Sequence, residues 1–193
     1  MILEYKAELH LSAIASLHYR MIPYSTIAQT GEEGLYQYYK ILSGLESTFG
    51  FVWMDNDAKL IGFVLGTTDA KTARKTMFHS IKFSDKLKIV LYSLKSLGNL
   101  LNIADTVLYI NPLISSNKIN AEWLSWITDI NSKKSNMAAL ETYKTIRKHF
   151  KKAGIKQFLC QADKRTNTHK FLSQFKNIQQ HELLQNFIFI INS

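Results

Sequence analysis

Cysteine is nearly absent from this sequence, since Cys160 is the only one among 193 residues. A single thiol cannot form an intramolecular disulfide, so we expect a chain that folds in a reducing compartment, the cytoplasm. One cysteine also excludes a cysteine-rich zinc site, and the six histidines show no close metal-ligand spacing, so no metal is expected. Cys160 lies in a predicted buried strand, where a structural thiol is more typical than a nucleophile.

Proline and glycine are also scarce, with two and eight residues, and no stretch has the composition of a linker or a repeat. We therefore expect residues 1–193 to form a single domain. No uncharged apolar run reaches the roughly 18 residues that a membrane-spanning helix needs. Glu4 and Glu8 interrupt the first apolar stretch, so we expect no signal peptide.

Acidic residues are few, with 15 Asp and Glu against 24 Lys and Arg, which gives a formal net charge of +9. Such a surplus attracts nucleic acid, acidic lipid or a phosphorylated cofactor, and a solvated basic face is the ordinary alternative. Between Lys133 and Arg165 there are ten Lys and Arg against two acids, yet no helix-turn-helix or RNA-binding motif accompanies them. We therefore expect no nucleic-acid partner.

Strand and helix patterns alternate along the chain. The periodicity predicts strands over residues 2–5, 49–54, 59–67, 121–129, 156–162 and 182–191, and helices over residues 7–21, 34–45, 138–153 and 169–175. The predicted fold class is α/β, a mixed sheet with helices on both faces. Gly62 and Gly66 within one strand predict a bulge or a close approach of another backbone.

Residues 70–118 form a basic insert, with eight Lys and Arg against Asp85 and Asp105. Its leucines and valine follow helical spacing, which predicts one or two basic amphipathic helices. Two interpretations stay open for the apolar face. It packs on the domain, or it forms a substrate lid or a surface for an acidic partner or a membrane, in peripheral contact.

The most informative stretch is residues 121–150, where an apolar strand, a basic turn and a long helix follow one another. The turn contains Lys133, Lys134, Ser135 and Asn136 directly before the predicted helix. The first N–H groups of a helix lack internal partners and carry part of its positive dipole, so this arrangement suits a phosphate. The alternative is an ordinary surface helix with Asn136 as its cap.

In this stretch the sequence resembles the GNAT superfamily of acyl-CoA-dependent N-acetyltransferases. The family's turn follows the pattern Gln/Arg-x-x-Gly-x-Gly/Ala, and residues 133–138 lie on it without gaps, with Lys133 first and Ala138 last. Asn136 stands at the first glycine, and asparagine tolerates left-handed φ better than most residues. The resemblance implies a central, mostly antiparallel mixed sheet with the helical insert before the fourth strand.

The resemblance also implies a co-substrate, acetyl-CoA, and its binding residues. The backbone of Ile127 and Thr128 would pair with the pantetheine arm. Asn167 lies near a place where the family has an asparagine. The diphosphate would be held by Lys133, Lys134, Ser135, Asn136, Met137 and Ala138. The reaction implied is direct attack of an acceptor amine on the thioester, by a monomer or homodimer, with a small acceptor such as an amino sugar bound between residues 18–39 and the insert.

The catalytic residues are harder to assign. Glu122 lies on the strand where the family often places a carboxylate base, and a surface acid at a strand edge is the alternative. Leu172 stands where the family often has the tyrosine that protonates the thiolate, and leucine cannot donate a proton. Tyr143 is the substitute we predict, with Tyr109, Ser135 or an unassisted thiolate as alternatives. A non-catalytic GNAT-like module, binding an acyl carrier, an acidic protein or a nucleic acid, is the other functional hypothesis.

Overall fold

The computed structural model of the chain describes residues 1–116, 119–175 and 178–193, so Lys118, which we counted in the basic insert, lies outside the described residues. The strands are β1 (Ile2–Glu4), β2 (Thr48–Met54), β3 (Leu60–Thr67), β4 (Glu122–Thr128), β5 (Gln157–Asp163), β6 (Ile178–Glu182) and β7 (Asn186–Asn192). The helices are α1 (Ala7–Met21), α2 (Gly31–Ser43), α3 (Ala70–Ser80), α4 (Phe83–Leu94), α5 (Leu97–Asp105), α6 (Asn111–Ser115), α7 (Ser135–Lys152) and α8 (Thr168–Leu172), and a π turn over Thr106–Ile110 precedes α6.

All seven strands belong to one sheet, in the order β1-β2-β3-β4-β5-β7-β6. Neighbouring strands run antiparallel except β4 and β5, which run parallel. Two successive residues of β3 show how the two faces of the sheet are covered. Phe63 packs with the apolar residues of α1 and α2, and Val64, on the opposite face, packs with those of α7. The predicted mixed, mostly antiparallel sheet, flanked by helices and with a helical insert before the fourth strand, is confirmed.

The β2–β3 hairpin forms for the reason that its sequence indicates. Asp55 Oδ1 accepts hydrogen bonds from the amides of Asp57 and Lys59, at 3.0 and 2.9 Å, and closes the polar turn. Ala58 takes the left-handed conformation there, with φ of 58°. This hairpin brings β3 alongside β4, where the candidate site lies.

The two glycines of β3 allow α7 to lie directly on the sheet, as their positions predicted. A Cβ on Gly66 would lie 3.0 Å from the ring of Phe150 and 3.1 Å from the Cδ1 atom of Ile146. A Cβ on Gly62 would lie 2.9 Å from Thr128 and 3.4 Å from the Cβ of Ala138. Because neither glycine has a side chain, α7 packs close to the sheet, and its first turn lies near the end of β4.

The predicted single strand over residues 182–191 is wrong in its extent. The region contains two strands, β6 and β7, which pair as an antiparallel hairpin. β6 is an edge strand of sequence IQQHE, exposed at four of its five positions, so it contains no apolar run for a pattern to detect. β7 contains the buried FIFII run and was recognised for that reason.

The insert contains four helices rather than one or two. Asp105 holds them to the β6–β7 turn, because its buried carboxylate accepts hydrogen bonds from the amides of Leu184, Gln185 and Asn186 at 2.7 to 2.9 Å. The interpretation that the leucine face packs on the domain is wrong for α4. Its only buried residue is Ser93, Ile89 is partly buried, and its other apolar residues are exposed.

Candidate active site

The centre of the candidate site is a β-bulge in β4. Ser125 lies opposite Leu65 and Trp123 lies opposite Gly66, so Leu124 has no partner on β3. One extra residue in a strand reverses the alternation of side chains beyond it. The strand is bent at this point, in the middle of the sheet.

The bulge decides which side chains of β4 face the same way. Ser125 accepts a hydrogen bond from the Tyr39 hydroxyl of α2 at 3.3 Å, and Glu122 contacts α3 on the same face of the sheet. Trp126 faces the other side, where its indole N–H donates to Thr142 of α7 at 2.9 Å. Without the bulge, Glu122 and Ser125 would lie on opposite faces.

Beyond the bulge, β4 and β5 separate and leave a cleft. Only Glu122 and Trp123 pair with β5, and past Trp123 this edge of β4 has no strand partner in the part of the chain that the structure describes. The cleft has a volume of about 450 Å³. It is lined by Met21, Ile22, Tyr24, Trp126, Ile127, Thr128, Ile130, Ser132, Lys133, Ser135, Asn136, Ala139, Arg165, Thr166, Asn167, Thr168 and Phe171.

One end of the cleft is the N-terminus of α7. The helix begins at Ser135, three residues earlier than predicted, and its cap residue Lys134 makes no side-chain cap hydrogen bond. The amides of Asn136 and Met137, in the first turn, have no acceptor among the described residues. Ser135 Oγ donates to Thr128 Oγ1 at 3.1 Å, which joins this helix end to the end of β4.

The expected role of Asn136 as a left-handed residue or as the helix cap is wrong. Asn136 is helical, and Ala58 is the only non-glycine residue with positive φ in the described part of the chain. The turn needs no glycine because Asp129 shapes it: its carboxylate accepts from Asn131 at 3.0 Å and its carbonyl from Ser132 at 3.0 Å. The helix end is presented without a left-handed residue.

The predicted cofactor residues divide into two groups. Those that line the cleft are Ile127, Thr128, Lys133, Ser135, Asn136 and Asn167. Lys134, Met137 and Ala138 do not line it. Met137 is exposed, and Ala138 is fully buried against the sheet, so only their backbone groups can contribute there.

The opposite wall contains a cation that the sequence analysis did not assign to the site. Arg165 pairs with Asp163 and donates to Asn99 of α5 at 3.1 Å, and its guanidinium lies 4.6 Å from the centre of the Tyr24 ring. Burial raises the pKa of Asp163, but the hydrogen bonds from Arg165 outweigh it and hold that pKa below its usual value. Three separate segments meet at Arg165, so no local motif could reveal it.

Glu122, the predicted base, lies before the bulge, at the start of β4, and does not line the cleft. Its carboxylate is buried and bound at both oxygens by Arg74 of α3, with Nε donating to Oε2 at 2.8 Å and Nη2 donating to Oε1. Burial and the nearby Glu122 charge raise the pKa of Tyr38 to about 12. Glu122, Arg74 and Tyr38 therefore form a polar cluster between α2, the insert and β4, in which Glu122 is buried and the other two are partly buried.

Tyr143, the predicted proton donor, is buried beneath the cleft. Its ring packs against Trp123 and Phe175, and its hydroxyl has no hydrogen-bond partner in the described chain. Burial raises the pKa of this hydroxyl. Leu172 is fully buried, and Tyr109 lies half-exposed in the insert. Tyr143 does not line the cleft, and its ring lies 5.8 Å from that of Phe171, which does.

A second buried polar group adjoins the bulge. The His18 ring is hydrogen-bonded through Nδ1 to the Tyr39 hydroxyl at 2.6 Å and through Nε2 to Ser25 at 3.0 Å. Tyr39 donates in turn to Ser125 of β4. Burial lowers the pKa of His18 to about 4, so the imidazole is neutral near pH 7.

The His18 pKa predicts a loss of stability in acid. An unfolded histidine has a pKa near 6.5. As the pH falls from about 6.5 to 4, His18 is therefore protonated in the unfolded state but stays neutral in the folded state, which favours unfolding. We expect this residue to cost about 2 to 3 kcal/mol of unfolding free energy between pH 7.5 and about 4.5. Urea unfolding of the wild-type and His18→Gln proteins at both pH values measures the difference. Equal losses in both proteins would contradict the prediction.

Two further observations concern the described part of the chain. No group of three or more His, Cys, Asp or Glu side chains there is placed to hold a metal ion. No helix there is long and apolar enough to cross a membrane. A shallower depression of about 300 Å³ between α1 and α2 carries Glu32 and Glu33, and no residue of β4 lines it.

Comparison with known proteins identifies the fold. No protein-family model matches the sequence, and no curated protein matches it. An aminoglycoside 6'-acetyltransferase type Ii is similar in structure, with 9% identity over 98% of this chain and 94% of that chain and a TM-score of 0.60. The C-terminal condensation domain of Ebony, in complex with beta-alanyl-dopamine, has 10% identity over 100% and 98% and a TM-score of 0.67.

A third similar structure contains coenzyme A. The PaiA N-acetyltransferase of Thermoplasma acidophilum, in complex with coenzyme A, has 11% identity over 100% of this chain and 99% of that chain, with a TM-score of 0.53. At these identities the similarity shows the fold alone. The chain therefore has the fold of the GNAT N-acetyltransferases, as the resemblance of its sequence implied.

Proposed function

We propose that the protein is an acyltransferase of the GNAT type, which moves an acetyl group from acetyl-CoA to the amine of a small acceptor in the cytoplasm. The observation that carries the proposal is the cleft between β4 and β5, which runs from the bulge at Leu124 to the N-terminus of α7. An extended arm with a phosphorylated end fits such a cleft. The fold shared with N-acetyltransferases supports the same proposal.

The backbone of β4 would hold the pantetheine arm. Four residues, Ser125 to Thr128, extend from the bulge to the end of the strand, and this length is about 13 Å. The edge that faces the cleft has no strand partner. Backbone groups of successive strand residues point to opposite edges, and the Asp129 amide donates to Ile61 of β3, so the backbone groups of Ile127 also face β3. The amide and carbonyl of Thr128, rather than those of Ile127, are therefore available to an added strand-like chain.

The diphosphate would lie at the start of α7. The unpaired amides of Asn136 and Met137 lie at the positive end of the helix dipole, which favours the diphosphate. The Ser135 hydroxyl adds a donor when it turns away from Thr128. Lys133 and Lys134 add charge, Ala138 closes the turn against the sheet, and Asn167 faces the cleft from the other wall. This assignment agrees with the basic character of the turn.

The chemistry requires one bond to form and one to break. The neutral amine nitrogen attacks the thioester carbonyl carbon, the new C–N bond forms, and the C–S bond breaks as the tetrahedral intermediate collapses. The nitrogen loses a proton to a base and the thiolate gains one. We assign the base to Glu122, through a water or directly, and retain Tyr143 as the proposed acid.

The acceptor would bind on the α2 side of the bulge, between residues 18–39 and the insert. The polar cluster of Tyr38, Arg74 and Glu122 lies there, next to the predicted position of the thioester. An amino sugar or another small amine suits the proposal. The Ebony domain and the aminoglycoside 6'-acetyltransferase act as structural precedents for small acceptors on this fold.

The role of Glu122 has a direct test. We expect Glu122→Gln to lower kcat about a hundredfold, because general-base catalysis contributes typically 10² to 10⁴. Acetyl-CoA affinity should stay within about threefold, since Glu122 does not line the cleft. The measurement is a pH series of turnover with calorimetric binding alongside. Unchanged turnover at every pH would remove Glu122 from the mechanism.

Isothermal calorimetry with acetyl-CoA tests the function itself. Binding with micromolar affinity, followed by transfer to a panel of small amines, is the expected result. Absence of binding at millimolar ligand would eliminate the enzyme hypothesis.

One set of observations favours a second candidate, a non-catalytic module of the same fold that binds an acyl carrier, an acidic protein or a nucleic acid. Glu122 is neutralised by Arg74, Tyr143 is buried beneath the cleft, and Leu172 replaces the usual donor. Coenzyme A binding without turnover of any amine in the panel would favour this candidate.

A further inference from the structure

The outward face of α4 is an exposed apolar surface. It consists of Phe83, Leu87, Val90, Leu91 and Leu94, and these side chains are between 50% and 81% exposed. Their spacing of four, seven, eight and eleven residues from Phe83 places all five on one side of the helix. We call this set the α4 apolar face.

Further exposed apolar side chains follow α4 in the chain. They are exposed by 56% to 72%, and they are Leu97 of α5 and Val107 and Leu108 of the π turn. The side of α4 that packs on the domain is instead marked by Ser93, which is buried and bonded to the carbonyl of Ile89. Several exposed apolar side chains on one side of a helix are typical of a surface that binds a partner.

Lysines border the α4 apolar face on both sides. Lys82 and Lys86 lie along one side of the helix, and Lys88 and Lys95 lie along the other. Asp85 is the only acid in this segment, so residues 82–95 carry four positive charges against one negative, a net charge of +3. Long lysine side chains can lie along an apolar surface while their ammonium groups reach a polar layer.

The charge decides which occupant fits. A second copy of the chain would bring two faces of the same sign together, and that repulsion opposes a dimer. A bilayer with anionic headgroups offers both an apolar layer for the leucines and negative charge for the lysines. The helix is 12 residues long, against the roughly 20 that span a bilayer, so it suits a position in the plane of the interface.

We infer that the α4 apolar face, together with its flanking lysines, docks the protein peripherally on an anionic lipid bilayer. The docked insert would hold the cleft near the membrane, because Asn99 of α5 accepts a hydrogen bond from Arg165 in the cleft wall. This inference does not depend on the catalytic proposal, since it concerns a surface outside the cleft.

Co-sedimentation of the full chain with vesicles tests the inference. We expect binding to vesicles of phosphatidylglycerol and phosphatidylcholine at low ionic strength, weaker binding as salt is added, and little binding to phosphatidylcholine alone. Equal binding to both kinds of vesicle, or to neither, would overturn the inference.

Two triple variants separate the contribution of the lysines to vesicle binding from that of the leucines. Lys82→Gln, Lys88→Gln and Lys95→Gln together should weaken binding to the anionic vesicles roughly a hundredfold, because each cation near such a surface contributes about fivefold. The second variant combines Leu87→Gln, Leu91→Gln and Leu94→Gln. It should abolish co-sedimentation of the protein with the anionic vesicles, although its charge is unchanged. All six side chains are exposed, so folding should be preserved, which circular dichroism would verify.

The matched control removes the same charge elsewhere. Lys148→Gln, Lys151→Gln and Lys152→Gln together change three exposed lysines of α7 and should leave vesicle binding within about threefold of the wild type. An equal loss in this control would show that net charge alone drives binding and would overturn the assignment to α4. A concentration-dependent dimer that the leucine variant abolishes, in sedimentation equilibrium, would overturn it in favour of a second copy.

Discussion

Replacing Ser135 with aspartate is expected to weaken acetyl-CoA binding about a thousandfold. A carboxylate at the first position of α7 would lie within about 4 Å of the proposed diphosphate, and one such repulsion costs about 4 kcal/mol near a protein surface. The same substitution should leave the fold intact or stabilise it slightly, because a negative charge in the first turn of a helix interacts favourably with the helix dipole. Calorimetric titration and thermal unfolding of one sample measure both effects.

Ser135→Asn is the matched control for this prediction. Asparagine has the shape of aspartate without its charge, and it likewise loses the Ser135 hydrogen bond to Thr128. We expect the asparagine variant to bind acetyl-CoA within about tenfold of the wild type. If the two variants bind equally well, no phosphate lies at this helix end, and the cleft assignment fails.

Replacing Arg74 with methionine is expected to lower the free energy of unfolding by about 3 to 5 kcal/mol. The substitution leaves the Glu122 carboxylate buried without its ion-pair partner, and an uncompensated buried charge is costly. Urea denaturation measures the change. Lys75→Met is the control, since Lys75 follows Arg74 on α3 but is exposed, and it should change stability by less than about 0.5 kcal/mol.

A double variant tests whether the unpaired Glu122 charge causes the loss of stability in Arg74→Met. Arg74→Met combined with Glu122→Met removes both charges and should recover most of the lost stability, because an apolar pair of similar volume can replace a buried ion pair. If the double variant is as unstable as Arg74→Met alone, the loss comes from packing around Arg74 and the ion pair contributes little.

Much of the fold could be predicted from the sequence because local patterns determine it. The β2–β3 hairpin follows from a polar turn between apolar runs. Gly62 and Gly66 predicted a bulge or a close approach, and the structure places α7 against them. β6 was missed because its residues are polar and exposed at the edge of the sheet. A strand without an apolar face is visible only through its pairing with β7.

The site could be predicted only in part. The basic turn and the helix after it are adjacent in sequence, so Lys133, Ser135 and Asn136 were found together and line one cleft. The conformation of the turn was predicted wrongly. A left-handed Asn136 was expected, but the turn is shaped by the hydrogen bond that the Asp129 side chain accepts. Arg165 was not found, because two of its partners, Asn99 and Tyr24, come from distant segments.

The sequence by itself determined most of the strands and helices outside the insert, the basic turn before α7 and the amphipathic pattern of the insert, since each depends on residues within a few positions of one another. Only the tertiary structure decided the bulge at Leu124, the ion pair of Glu122 with Arg74 and the outward direction of the α4 apolar face. These features depend on contacts between segments far apart in the chain. Periodicity shows that a helix has an apolar face, but the packing of the rest of the fold decides whether that face is buried.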